Sequence, residues 1–307
     1  MIAGIVLDFA LIYGAILLIG GLSGLLSERA GIVNIGIDGM MCFGALFYGI
    51  FSSKAVGIAE HGLWTMPFVL LLTMLATTIT GLLHGYACIN LKANHIISGT
   101  AINLIGVALC QFANLPLAQV LDEGKARLES GYTNFLFVGN NVYGSSIIIF
   151  IIAILIAVGI WVVLNKTKTG LRYKAVGENP FAVAAQGISV LKYQWTAVIL
   201  SSAFAGLAGA LFLFKTNVFN GDTEGLGYLA LAIMIVGAWK VEWTIVAAWI
   251  FALFTGLTNT DVLLNAGVPK AIANSIPYII TLVILVFFSK WVQPPEYDGI
   301  PYDPSQR

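Results

Sequence analysis

Ser145-Ser-Ile-Ile-Ile-Phe-Ile-Ile-Ala-Ile-Leu-Ile-Ala-Val-Gly-Ile-Trp-Val-Val-Leu-Asn165 carries no formal charge, and it lies inside an uncharged run from 130 to 165. A hydrocarbon core of about 30 Å asks for roughly 20 mostly apolar residues per helix, so this stretch is long enough to cross a bilayer. The rest of the chain repeats the pattern on both sides. Residues 9–27, 61–91, 93–121, 193–214, 243–260 and 271–289 are also charge-free, and two shorter runs cover 39–53 and 225–239. This predicts an all-α integral membrane protein of about nine transmembrane helices (8–10), with short or broken second and seventh spans. Residues 1–27 lack a basic flank and contain Asp8, so they read as a first span and not as a cleaved signal.

Composition agrees. Of 307 residues, 59% are hydrophobic and 10% charged, with 15 acids balancing 15 bases, whereas soluble domains carry about 25% charged residues. A soluble enzyme, a disordered chain and a nucleic-acid binder are all excluded, the last for want of a basic footprint. Cys42, Cys88 and Cys110 lie apart in apolar runs, so they form neither a disulfide framework nor a metal site. The spans contain no paired carboxylates or His/Cys clusters at catalytic spacing, and no buried acid chain of the kind ion coupling uses.

Lys and Arg set the orientation. The segment between the fifth and sixth spans holds Lys166, Lys168, Arg172, Lys174 and Lys192, which places it inside. Alternation then puts the N-terminus outside and the C-terminus in the cytoplasm, with ten Lys and Arg inside and five outside. The outside segment 119–144 contains Asp122, Glu123, Lys125, Arg127 and Glu129; it is read either as contact surface for an extracellular partner or as a solvated loop.

An internal repeat is visible. Gly21-Leu-Ser-Gly24-Leu-Leu26 recurs as Gly206-Leu-Ala-Gly209-Ala-Leu211, and Thr80-Gly81-Leu82 as Thr255-Gly256-Leu257. The offset is five spans, an odd number, so the two copies run in opposite senses through the membrane. In inverted repeats the substrate site lies where matching short segments of the halves meet. Ahead of span two runs Ser27-Glu-Arg-Ala-Gly-Ile-Val-Asn34-Ile-Gly-Ile-Asp38-Gly39, and ahead of span seven Asn217-Val-Phe-Asn220-Gly-Asp222-Thr-Glu224-Gly225-Leu-Gly227. Gly and Asn tolerate non-helical backbone in both. Candidate pathway residues are Asn34, Asp38, Ser98, Thr100, Asn103, Asn220 and Tyr228; each also has a plainer reading as a cap or an interhelical hydrogen bond. Asp38 is expected to cap span two, and His84 to be a satisfied core histidine.

The inside loop, 165–194, contains a short helix with its own punctuation. Asn179 is an N-cap, Pro180 suits the first helical position and Gly187 suits a left-handed stop. The residues between, Phe181, Val183, Ala184 and Ala185, are apolar although the loop faces cytosol, so the helix is expected to dock on another protein. A surface helix folded back on the bilayer is the alternative.

Gly170-Leu-Arg172-Tyr-Lys-Ala-Val-Gly177-Glu178-Asn179-Pro180 with Ala184, Ala185 and Gly187, together with Ser27 to Met41, Ile97 to Asn103 and Ser275-Ile-Pro277-Tyr278, resembles the permease subunits of ABC importers for ribose, branched-chain amino acids and nucleosides. The nucleoside type is the most similar. Asp38 stands where relatives often have Glu. The resemblance implies that residues 1–290 form one polytopic permease domain and that Glu178, Asn179, Pro180, Phe181, Ala184, Ala185 and Gly187 couple to a separate cytoplasmic ABC ATPase through the 178–188 loop. It further implies a second, different permease chain, an extracellular substrate-binding lipoprotein, a nucleoside cargo and a place in the plasma membrane among its lipids. ATP and Mg would be used by the partner ATPase, with no cofactor bound by this chain, which lacks a G-x-x-x-x-G-K-[ST] phosphate loop. The Pro-rich tail, 291–307, is expected to be disordered. A stand-alone secondary transporter of a small neutral solute, and an ABC permease for sugars or branched-chain amino acids, are the alternatives.

Overall fold

The computed structural model describes residues 2–122, 124–132, 144–258, 260, 267–288 and 293–305. Glu123 and 133–143 of the outside segment, and Lys290, Trp291 and Arg307 near the C-terminus, lie outside the described residues. The chain runs α1 (Ile2–Glu28), α2 (Ile37–Ser52), two 3-10 turns, α3 (Met66–Gly85), a π turn (Tyr86–Asn90), α4 (His95–Leu121), α5 (Gly144–Lys166), α6 (Lys168–Glu178), α7 (Pro180–Ala185), α8 (Val190–Thr216), α9 (Leu226–Val236), α10 (Val241–Thr258) and α11 (Lys270–Phe288). Among the described residues there is no sheet, only an isolated bridge between Glu129 and Val218. Among the described residues six helices are long and apolar enough to cross a membrane: Gly4–Glu28, Leu63–Asn90, His95–Leu121, Ser146–Lys166, Val190–Thr216 and Val241–Thr258. The shorter apolar helices are α2 and α9.

α1 and α8 form the centre, and most of each is buried, whereas α4 and α5 turn most of their apolar surface outward. Phe112, Leu104 and Val120 on α4 and Leu155 on α5 are among the outward-facing residues; such a surface suits lipid, not water. The helix contacts have a two-fold pattern. α1 packs on α9 and α10 as α8 packs on α2 and α3, and α2 meets α4 as α9 meets α11. The repeated glycines make these approaches possible. A Cβ on Gly44 would lie 2.5 Å from Gly206 Cα where α2 crosses α8, and one on Gly24 would lie 2.9 Å from Met234 Sδ where α1 meets α9.

The connections gather at two ends. At one end Ala55 N–H donates to Leu121 O, Phe219 N–H to Leu128 O, and Lys215 pairs at 3.1 Å with Asp8, which lies within α1. At the other end Trp239 Nε1–H donates to Glu28 Oε2 (2.7 Å), while Arg29 Nε–H donates to Trp239 O (2.8 Å) and pairs with Glu178 at 3.4 Å. Glu28 and Arg29 thus share Trp239, one through its indole and the other through its carbonyl. The segment after α5 holds a second helix, α6, ahead of α7. Thr167 caps it by accepting from Gly170 N–H, and Tyr173 hydroxyl anchors it to Leu26 O.

The disorder expected of the tail does not describe 293–305. Tyr297 N–H donates to Gly177 O (2.8 Å) and Gly299 N–H to Gly31 O (3.1 Å). Lys92 Nζ reaches Asp303 at 2.8 Å, and Tyr302 is buried with Val176, Val183 and Val190. Proline content argued for an extended chain, but two tyrosines give that chain an apolar surface to bury.

Candidate functional site

α2 and α9 are too short to cross alone: at 1.5 Å per residue the 11 residues of α9 reach about 16 Å. Each is preceded by non-helical chain. Residues 29–36 lead into α2, and 217–225 lead into α9 through Gly225, whose φ of +76° is open to glycine at little strain. The two N-termini meet. A Cβ on Gly227 in the first turn of α9 would lie 2.5 Å from Asp38 N and 2.6 Å from Asp38 Cβ.

Helix N-termini leave N–H groups without intrahelical partners, and here the neighbouring elements supply the acceptors. Asp38 Oδ1 accepts from Gly227 N–H (2.9 Å) and Thr223 hydroxyl (2.9 Å), so the carboxylate that was expected to cap α2 caps α9 instead. α2 is served by α4: Asn103 Oδ1 accepts from Gly39 N–H at 2.8 Å. The amide nitrogen of Asn103 then donates to Ile35 O (2.8 Å) and to Tyr228 hydroxyl (3.0 Å). Asp38, Asn103, Thr223 and Tyr228 thereby form one connected polar junction between the halves, with Tyr228 exposed and the other three buried. An anionic group in the first turn of a helix is favoured by its dipole, and Asp38 serves two such ends.

The remaining candidates are placed elsewhere. Asn34 is buried beside the junction, donating to Ser201 Oγ (2.9 Å) and accepting from Gly36 N–H (3.1 Å). Ser98 hydroxyl meets His84 Nδ1 at 2.9 Å, and His84 Nε2 lies 3.1 Å from Val33 O, so both ring nitrogens of His84 have partners. Thr100 is exposed and bonds back to Ile96 O and Ile97 O of its own helix. Asn220 is exposed and accepts from Arg127, at the end where Lys215 meets Asp8. Thr223 and Tyr278, not singled out from the sequence, face the junction. Tyr278 hydroxyl donates to Glu224 O at 3.2 Å. The Pro-Tyr of α11 and the run 217–227 were their only local signals.

Beside the junction a cavity of about 130 Å³ is lined by Tyr13, Glu224, Thr255, Thr258 and Tyr278 among others. This is below the roughly 300 Å³ of small-molecule sites, and Asp38, Asn103, Thr223 and Tyr228 do not line it. A larger cavity, about 670 Å³, lies between α5, α6 and α8 with almost wholly apolar walls and shares no residue with the junction. Among the described residues no three His, Cys, Asp or Glu side chains converge where a metal ion would sit.

α7 projects at the basic end. Asn179 Oδ1 accepts from Ala182 N–H (2.9 Å), Pro180 occupies the first position and Gly187, at φ +74°, ends the turn. Pro180 and Val183 are buried and Ala184 partly so. Phe181 sits between the tail rings of Tyr297 and Tyr302, with centroids 5.6 and 5.3 Å away. Glu178, Asn179, Ala182, Ala185, Gln186 and Gly187 remain exposed. The face open to a partner is thus made of small and polar residues, with Phe181 behind it.

Residues 6–288 match the family model described as a branched-chain amino acid transport system permease component. An uncharacterized protein of Mycoplasma pneumoniae, the MG121 homolog, is 39% identical, covering 98% of this chain and 97% of its own. The nucleoside ABC transporter permease protein NupC of Lactococcus lactis is 32% identical (95% and 94%), and the guanosine ABC transporter permease protein NupQ of Bacillus subtilis 30% (100% and 98%). No solved structure matches the chain. The short helices meeting at their N-termini, the capped helix at the basic end and a family match over nearly the whole length lead to one assignment: the chain belongs to the branched-chain amino acid transport system permease family, as an integral membrane permease component of an ABC transporter and not a catalytic subunit.

Proposed function

We propose that this chain imports nucleosides across the plasma membrane as one of two different permease subunits, with nine spans in inverted repeat. The N-terminus is outside and the C-terminus cytoplasmic, and residues 1–290 form one permease domain. An ABC ATPase engages the 178–188 loop, and an extracellular lipoprotein delivers substrate. The observation that carries this reading is the junction at which two short helices begin. Tyr228 is its exposed member, and behind it Asn103, Thr223 and the Asp38 oxygen that faces them are buried and hydrogen-bonded within the junction. Neutral amide and hydroxyl groups with aromatic walls suit an uncharged nucleoside, whereas an amino acid or phosphate ester would call for charge. The names of the relatives at about 30% identity support the same cargo class. The swapped packing of α1 and α8 supports the repeat, and the grouping of the basic loops at one end supports the alternation.

The test is uptake of labelled nucleosides by liposomes containing the complex isolated through this chain. ATP inside the assembly should drive uptake, and Ala185→Glu, on the exposed face of α7, should abolish it while the permease remains membrane-inserted. Uptake by this chain alone on an imposed ion gradient would establish a secondary carrier instead.

A further inference from the structure

We infer that the C-terminal segment 293–305 is a strut that carries motion from α7 to the chain leading into α2, so that ATPase engagement is felt at the junction. This rests on the coupling role given to α7 above. The segment touches three connections that are far apart in sequence. It clasps the α6–α7 turn through Tyr297 N–H to Gly177 O and Glu296 N–H to Glu178 Oε2 (3.3 Å), and it holds Phe181 between Tyr297 and Tyr302. It joins the α1–α2 connection through Gly299 N–H to Gly31 O, and the connection ahead of α4 through Lys92 and Asp303.

Beyond Gly31 the chain is short and tied at each step. Asn34 bonds Gly36 N–H and Ser201, Asn103 of α4 holds Ile35 O and Gly39 N–H, and Asp38 then caps α9. Direct ties between α7 and the α1–α2 connection are few. Arg29 meets Glu178 at 3.4 Å with Glu178 half exposed, a contact of the kind that contributes little. Gly177 also packs closely, since a Cβ there would lie 3.0 Å from Arg29 C, but that contact lies at the end of α6. Beside the direct packing of Gly177 on Gly31, where a Cβ on Gly177 would lie 3.2 Å from Gly31 N, the tail adds a link that packs on Phe181 of α7 on one side and bonds Gly31 on the other. A packed, hydrogen-bonded segment can transmit a displacement that an exposed ion pair would absorb.

The experiment uses the whole complex in liposomes and measures nucleoside uptake and ATP hydrolysis together for wild type, Tyr302→Ala and Tyr302→Phe. Tyr302 is buried and its ring does the packing, so Tyr302→Ala should leave the ATPase bound and hydrolysing but lower uptake per ATP by about tenfold, within the range of site-to-site couplings. Tyr302→Phe should restore the ratio. Hydrogen exchange at the Tyr297 and Gly299 amides gives a second reading without the ATPase: protection in wild type, lost in Tyr302→Ala. An unchanged ratio in Tyr302→Ala, or unprotected amides in wild type, overturns the strut. Absence of any ATP-driven uptake in wild type overturns the coupling role itself, and with it this inference, while leaving the amide protection to show that the fault lies in that role.

Discussion

Replacing Gly227 by Ala adds one methyl group where the starts of the two short helices touch. The new Cβ would stand 2.5 Å from Asp38 N and 2.6 Å from Asp38 Cβ, distances that real Cβ atoms do not adopt. Neither neighbour is the end of a flexible side chain, so α9 must move away from α2 as a body. Overpacking of this kind costs about 1–3 kcal/mol. The movement also stretches the 2.9 Å bond from Gly227 N–H to Asp38 Oδ1, and a hydrogen bond to a charged group contributes about 1.5–3 kcal/mol. Together, and after subtracting the helix propensity Ala gains over Gly of about 1 kcal/mol, the variant should lose about 1.5–5 kcal/mol. Thermal unfolding in detergent and ATP-driven uptake read the result. Both should fall sharply, whereas Gly159→Ala on α5, whose Cβ meets nothing within 4 Å, should leave both intact. A Gly227→Ala protein with wild-type melting and uptake would refute the contact between the two helix starts.

Asn103→Leu removes the acceptor of Gly39 N–H and the donor to Ile35 O and Tyr228 hydroxyl, stranding buried backbone groups at about 1–3 kcal/mol each; lower thermal stability and loss of uptake should appear together, and wild-type stability would count against the capping role. The tail should respond to pH, because burial and the neighbouring Glu28 carboxylate push the Asp298 carboxyl up to about 9, from about 3.9 in a free chain. An acid whose docked value is raised holds its proton in the docked state, so docking is strongest below about pH 4 and weakens as the pH rises towards about 9. Limited proteolysis of the tail should therefore quicken from pH 6 to pH 9 in wild type and change little in Asp298→Asn; equal slopes in the two proteins would contradict it.

Local signals in the sequence were sufficient for much of this architecture. Charge-free length marked the long spans, and the same count marked α2 and α9 as short. Asn179, Pro180 and Gly187 bounded α7 because capping acts within one turn of the residues that do it. Gly21, Gly24, Gly206 and Gly209 stand in similar stretches of sequence, and the structure uses them for close packing, Gly24 of α1 against α9 and Gly209 of α8 against α2.

Other features depended on which helices come together, and no short window of sequence encodes that. Asp38 looked like the cap of the helix it begins, yet the close approach allowed by Gly227 gives it to α9, 189 residues away. Ser98, Thr100 and Asn103 lie within six positions on one helix, but the helical turn sends Ser98 to His84, Thr100 to its own backbone and only Asn103 to the junction. The tail carried the composition of a disordered segment. Its order comes from long-range burial of Tyr302 and from backbone bonds to Gly31 and Gly177, partners that become available only once the α1–α2 connection has met the end of α6.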